Sequence, residues 1–315
     1  MECLYLRKKT RKMLCFMFLF STVPVPEELL PIMAAAMYCL SVVLVKPATR
    51  QRALSGASIL VMNNLLAGLV FAPQIFLAGK MPPLEIAWQP VLAGAFCAAG
   101  NIATFVCAER GEVSLFTPIM GVKILIVIFL AHIFIKESLP PSITLAGIVC
   151  CAAVFLMGWR KNSLKSAGAK MTIALALSAC SFYAACDVLL QKFSPNFEKE
   201  QLLGLMCAAL ALSVAPFLPR FFREAARAPS RALGLGFMSA ALMTGEMFLM
   251  VLAITGSVGA SLCNILYNTR GVMAVALVYI CGSKFESVRE LDRGDAARRL
   301  AGSLMILAAV AAVLI

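Results

Sequence analysis

GEVSLFTPIMGVKILIVIFLAHIFIKESLPPSITLAGIVCCAAVFLMG, residues 111–158, holds two apolar runs divided by the short polar stretch Lys136-Glu137-Ser138 and two prolines. The runs, 113–135 and 143–159, suit a hydrocarbon core about 30 Å thick, which roughly 20 residues of helix can cross. Runs of this kind recur along the chain. They give five spans in the first half, 29–45, 57–77, 89–108, 113–135 and 143–159. Five more follow in the second, 171–190, 201–221, 231–254, 257–281 and 297–315. The fold class read from this pattern is all-α and integral to the membrane, with ten transmembrane helices. The chain is 61% hydrophobic and 14% charged, with mean hydropathy +0.90. A soluble domain is about half apolar and about a quarter charged. No stretch is long and polar enough for a separate soluble domain.

The formal net charge is +12. The basic residues sit in short clusters between apolar runs, where they face anionic lipid and bias orientation. No basic, aromatic-interleaved region is present, so nucleic acid is not an expected partner. The twelve cysteines fall mostly inside apolar runs, as at Cys150, Cys151, Cys180, Cys186 and Cys207. There they act as small hydrophobes in helix packing. Residues 1–28 form a separate extension. Arg7, Lys8, Lys9, Arg11 and Lys12 precede the apolar run Met13–Val23, which is too short to cross a membrane alone. It has the outline of a signal peptide without a small-x-small cleavage site, and Met13 and Met17 offer alternative starts.

Internal similarity divides the rest. A shift of 145 residues lays Tyr38 on Tyr183, Ala108 on Ala253, and Gly111-x-Val113 on Gly256-x-Val258. Leu-Ala-Gly recurs at 145–147 and 300–302. The expected organisation is a first five-helix repeat over 29–160, a linker over 161–170 and a second repeat over 171–315. An odd number of spans per repeat makes the second half enter the membrane from the opposite side. This is the inverted repeat that serves alternating access in secondary transporters.

At this point the sequence resembles a family. Residues 111–158 are similar to the fourth and fifth helices of an EamA-type module of the drug/metabolite transporter (DMT) superfamily. The resemblance rests on the Gly111-x-Val113 start, Pro118, Glu137 after the fourth helix and Gly147 in the fifth. Residues 256–314 resemble the same module, with Ala301-Gly302 matching, and Lys46 and Lys192 close the first helix of each half. The resemblance implies ten helices, six of them around a central cavity. It also implies transport of small solutes such as amino acids, nucleotide sugars, phosphorylated metabolites or drugs, often as export. Glu137 has no clean counterpart in the second half, where Glu286, Glu290 and Asp292 compete.

Polar groups are costly in a bilayer, so their positions carry information. Spans one, three, four, six, eight and nine hold most of them. In span nine, Ser257, Ser261, Asn264 and Asn268 fall on one helix stripe, which suits a cavity wall or an interhelical contact. Lys123 lies mid-way along span four and Glu246 mid-way along span eight. The 145-residue shift maps Lys123 on Asn268 and Asn101 on Glu246, giving two pseudo-symmetric pairs. Two readings stand side by side. Lys123 meets an anionic part of a substrate while Glu246 takes a substrate cation or a proton, or the two residues cancel each other's charge. Arg270 is expected to pair with Glu246 or Asp187, or to contact substrate. Tyr38 and Tyr183 are expected as pocket walls, Asp187 to reach the membrane surface, and Asn63-Asn64 to act as packing glue. His132 has no partners for a metal site.

The expected function is secondary transport of a small organic solute, an amino acid or similar amphipathic metabolite, across the plasma membrane. Export is expected, by proton coupling or exchange. The alternative is a non-transporting polytopic membrane subunit or regulator. Motifs for an intramembrane enzyme or an ATP-driven pump are absent, and no cofactor is expected. The expected partners are the solute, the lipid bilayer and a proton, with a homo-oligomer compatible. Orientation is in conflict. The loops after odd-numbered spans hold most of the basic residues, which puts the termini of the ten-helix core outside the cytoplasm. The family resemblance implies both termini inside.

Overall fold

The computed structural model describes residues 25–49, 54–77, 82–110, 116, 119–136, 139–158, 169–281 and 293–314. Residues 1–24 of the N-terminal extension, Glu137, residues 161–168 of the inter-half linker and the loop that holds Glu286, Glu290 and Asp292 lie outside them. Every regular element among the described residues is helical. The first half contributes α1 (Leu29–Thr49), α2 (Gly56–Phe71), α3 (Leu84–Arg110), α4 (Lys123–Phe134) and α5 (Pro141–Gly158). The second contributes α6 (Ala169–Phe193), α7 (Lys199–Ser213), α8 (Ser230–Thr255), α9 (Gly259–Tyr267), α10 (Thr269–Cys281) and α11 (Arg293–Leu314). Short helical turns extend α2 at Gln74–Leu77 and α7 at Leu218–Ala225.

Six segments are long and apolar enough to cross a membrane: Gly56–Phe76, Leu84–Cys107, Ala169–Asn196, Lys199–Ala225, Ser230–Thr255 and Ala297–Leu314. Leu29–Val45, Lys123–Phe134 and Pro141–Met157 are apolar but shorter. The helices begin where local chemistry satisfies their free N–H groups. Ser55 caps α2, its hydroxyl accepting from the Ser58 N–H. Glu198 and Gln201 form a reciprocal capping box on α7. Both devices supply acceptors for donors that have no partner within the helix.

The helices pack in matched pairs. α1 lies along α8, and α3 along α6; α2 meets α8, and α3 meets α7; α4 crosses α6, while α9 and α10 cross α1. α5 packs on α11 and α2 on α7. Small residues allow the close approaches. At Gly94 an added Cβ would stand 2.5 Å from the Met206 carbonyl oxygen, and at Gly302 it would stand 2.8 Å from that of Ala153. Gly100 faces the Tyr183 ring and Gly245, its mate under the 145-residue shift, faces Met37 beside Tyr38. Cys150, Cys180, Cys186 and Cys207 are buried, in keeping with a packing role.

The joint between α8 and α9 is tied down from two other helices. Glu27, just before α1, accepts hydrogen bonds from the Ser257 N–H and from its hydroxyl at 2.7 Å. Gln191 near the end of α6 accepts from the Ala260 N–H at 2.7 Å. Gly259 sits between these ties at φ +73°, a conformation that side chains disfavour. Ser257 thus serves this joint rather than the inward stripe expected of it. At the other end of the bundle Glu224 accepts from the Ser55 N–H, the Ser58 hydroxyl and the Arg220 guanidinium, at 2.8, 2.7 and 2.9 Å.

The Ser257 hydroxyl, then its N–H, hold the Glu27 carboxyl below the usual carboxylate range, against a smaller opposing effect of burial. A carboxyl depressed in the native state adds stability above its unfolded pKa and loses it as pH falls through the native value. Glu27→Gln therefore lowers the Tm of the purified protein at neutral pH. The gap to wild type closes as pH drops below the usual carboxylate range; a gap that stays constant in acid contradicts a charge-assisted tie.

Candidate functional site

The two most polar spans change their winding at corresponding points. Ahead of α4, the Val122 N–H bonds to the Ile119 carbonyl and the Ile124 N–H to that of Gly121. At the α9–α10 junction, the Asn268 N–H bonds to Ile265 and the Gly271 N–H to Asn268. Each bond reaches back three residues instead of four, a 3-10 tightening that often marks a functional joint. Span nine, expected as one helix over 257–281, is divided at Asn268. The 145-residue shift lays Lys123 on Asn268, so the two joints are repeat-related.

Around the first joint, Lys123 Nζ lies 2.8 Å from Asp187 Oδ2, with the two side chains 13% and 11% exposed. The same carboxylate oxygen accepts from Asn264 Nδ2 at 2.8 Å. A buried charge that loses its partner costs far more than an exposed one, so this geometry holds both ions in the bundle. The Lys123 ammonium also stands 5.6 Å from the Tyr183 ring centroid. The Tyr183 hydroxyl donates to Asn101 Oδ1 at 2.8 Å and lies 3.2 Å from the Thr104 hydroxyl. Asn101 donates on to Asn64 Oδ1 at 3.2 Å. Of the expected packing pair, Asn64 joins α2 to α3, whereas Asn63 donates only to Asn64.

Around the second joint, the Arg270 guanidinium lies 4.7 Å from the Tyr267 ring centroid and 5.3 Å from that of Tyr38. The two rings meet edge to face with centroids 6.2 Å apart. The Tyr267 side chain interacts with both Glu246 and Arg270, and Glu246 and Arg270 lie close enough to act on each other's charge. The Cys39 thiol reaches the Arg270 carbonyl at 3.3 Å. The two joints share one pattern: a cation over the tyrosine that the repeat pairs, Lys123 over Tyr183 and Arg270 over Tyr38.

Several expectations need correction. Asp187 turns into the bundle rather than outward: α6 runs on to Phe193, and Asp187 is buried against Lys123. Lys123 is paired with Asp187 rather than with Glu246. Arg270 lies over two tyrosines and within electrostatic reach of Glu246, one of the partners expected for it. Asn268 turns its amide back to the Asn264 carbonyl of its own helix, at 2.8 Å, while Asn264 faces inward to Asp187. Asp187 and Tyr267 were not among the expected site residues. A lysine fixed in mid-span demanded an anion, which pointed to Asp187, and the aromatic next to Asn268 pointed to Tyr267.

Comparison with known proteins gives the following. Residues 26–159 match the EamA-like transporter family. No curated protein matches the chain. Among solved structures, one described as "Crystal structure of protein" superposes with TM-score 0.63 at 14% identity, covering 92% of this chain and 98% of its own. At that identity it shows likeness of fold alone.

The Lys123–Asp187 pair sets a prediction. Asp187→Asn leaves an unpaired buried ammonium and costs about 3–5 kcal/mol of stability. Lys123→Met combined with Asp187→Leu removes both charges and restores most of that loss. A double-mutant cycle on thermal stability measures the coupling; additive single effects contradict a direct pair.

Proposed function

We propose that the chain, which over residues 26–159 matches the EamA-like transporter family, is a secondary transporter of the DMT superfamily for a small organic solute. The observation that carries this reading is the pair of repeat-related helix joints, each with a cation over a repeat-related tyrosine. Secondary transporters build their sites from discontinuous helices where two repeats meet. In this reading the protein has ten membrane-crossing helices in two inverted repeats, residues 29–160 and 171–315. The matched packing supports it: exchanging the halves turns the α1–α8 contact into α6–α3 and the α2–α8 contact into α7–α3.

The solute is an amino acid or a similar amphipathic metabolite, and the direction is export across the plasma membrane. Lys123, Asn101, Tyr183, Asn264, Asn268, Glu246, Tyr38 and Arg270 form the polar centre. Ionisable groups inside a membrane commonly serve ion pathways and proton relays. Glu246 is the coupling residue here: it shares α8 with no other charge except Arg231 at the helix start and sits beside the second joint. Alternating access follows from rocking one half against the other, with the Glu27–Ser257 tie closing one end and the Glu224 cluster the other.

Reconstituted vesicles with an imposed pH gradient test the coupling. Wild type accumulates solute against its gradient when the proton gradient is present. In Glu246→Gln the exchange that remains at saturating solute no longer responds to the proton gradient. Gradient-driven accumulation that persists in Glu246→Gln removes Glu246 from the coupling step.

A further inference from the structure

The two cations of the centre are held in different ways. Lys123 is committed: Asp187 lies 2.8 Å from its ammonium, and Asn264 completes the same carboxylate oxygen. Arg270 is held by the faces of Tyr38 and Tyr267. A guanidinium stacked on an aromatic face keeps its donors in its own plane, where a carboxylate can engage two of them. Lys123 has a carboxylate in direct contact; Arg270 has an aromatic cradle, with the Glu246 carboxylate within electrostatic reach.

Glu246 is anchored from a different helix on the same residue. Tyr267 carries the Arg270 guanidinium on its ring and interacts with Glu246 as well. One phenol thus stands between a carboxylate on α8 and a guanidinium on α10. The formal charges of Lys123, Asp187, Glu246 and Arg270 sum to zero. A solute with net charge would upset that balance in an apolar bundle, where an uncompensated ion is expensive. A zwitterion leaves it unchanged.

We infer that Arg270 and Glu246 form the head-group receptor of the transport site: Arg270 takes the carboxylate and Glu246 the ammonium of a zwitterionic solute of the α-amino-acid class, while Lys123 and Asp187 stay with each other. The inference rests on reading the chain as a transporter, and it assigns the anion-binding role to Arg270 instead of Lys123. Tyr38 and Tyr267 are positioning residues for the guanidinium.

The test is binding by the detergent-purified full chain, read by calorimetry against each proteinogenic amino acid. The best binder is then compared with its carboxamide, which lacks the anion, and its N-acetyl form, which lacks the cation. The zwitterion is expected to bind at least about tenfold more tightly than either derivative. Arg270→Gln abolishes its advantage over the carboxamide, and Glu246→Gln its advantage over the N-acetyl form. Should Arg270→Gln not fold, Arg270→Lys carries the test: it weakens the zwitterion about tenfold and leaves the carboxamide unchanged, because a point charge lacks the planar fork. The inference is overturned if no amino acid binds, if Arg270→Gln keeps wild-type affinity for the zwitterion, or if Arg270→Lys weakens zwitterion and carboxamide alike. Counterflow of the radiolabelled amino acid into vesicles separates the two readings. The expected binding pattern without counterflow overturns transport and leaves the receptor. Counterflow undiminished in Arg270→Gln overturns the receptor and leaves transport.

Discussion

A charge enclosed by apolar helices must find a partner, and among the described residues Lys123, Asp187, Glu246 and Arg270 face that constraint. Lys123 and Asp187 answer the constraint by direct contact at 2.8 Å. Asn264 adds a donor to the same oxygen, so the contact joins α4, α6 and α9. Arg270 and Glu246 answer it through Tyr267, which joins α8, α9 and α10. The helix arrangement around the centre follows from these two solutions. α4 and α9 change their winding where the charged and amide side chains must turn inward, and α3 admits the Tyr183 ring only because residue 100 is a glycine.

The two solutions are related but not equal. Under the 145-residue shift Tyr38 corresponds to Tyr183, Gly245 to Gly100 and Glu246 to Asn101. One half places a neutral amide where the other places a carboxylate, and the Lys123 position of one half holds Asn268 in the other. Asp187 corresponds to Val42, which breaks the match most sharply. A symmetric scaffold thus carries an asymmetric charge set. In this account the scaffold supplies two interchangeable conformations, and the asymmetry supplies a preferred solute and a coupling group.

Much of the fold was legible, because bilayer thickness imposes a length on apolar runs and every expected span contains helix among the described residues. The joint at Asn268 was not legible. The apolar pattern lies on both sides of it, at residues 265–267 and 272–276, so hydropathy reads the whole as one span. The site was half legible. Mid-span charge, period and repeat drew attention to Lys123, Glu246, Asn101, Asn264 and both repeat-paired tyrosines, and charge alone to Arg270. The partners were not legible, since a pairing between helices depends on rotation about each helix axis, which sequence spacing does not set. Asp187 was placed near a span end because hydropathy fades after Leu190, whereas the helix continues through Gln191 and Lys192 to Phe193.

The central claim is that this polar centre opens in turn to each side of the membrane. The direct measurement is thiol labelling of Asn101→Cys, with the native cysteines replaced, in sealed vesicles of defined orientation. An impermeant maleimide is added from one face or the other. The account predicts that residue 101 reacts from both faces, and that a bound solute slows both reactions. Labelling from one face only, or from neither in a folded protein, contradicts it.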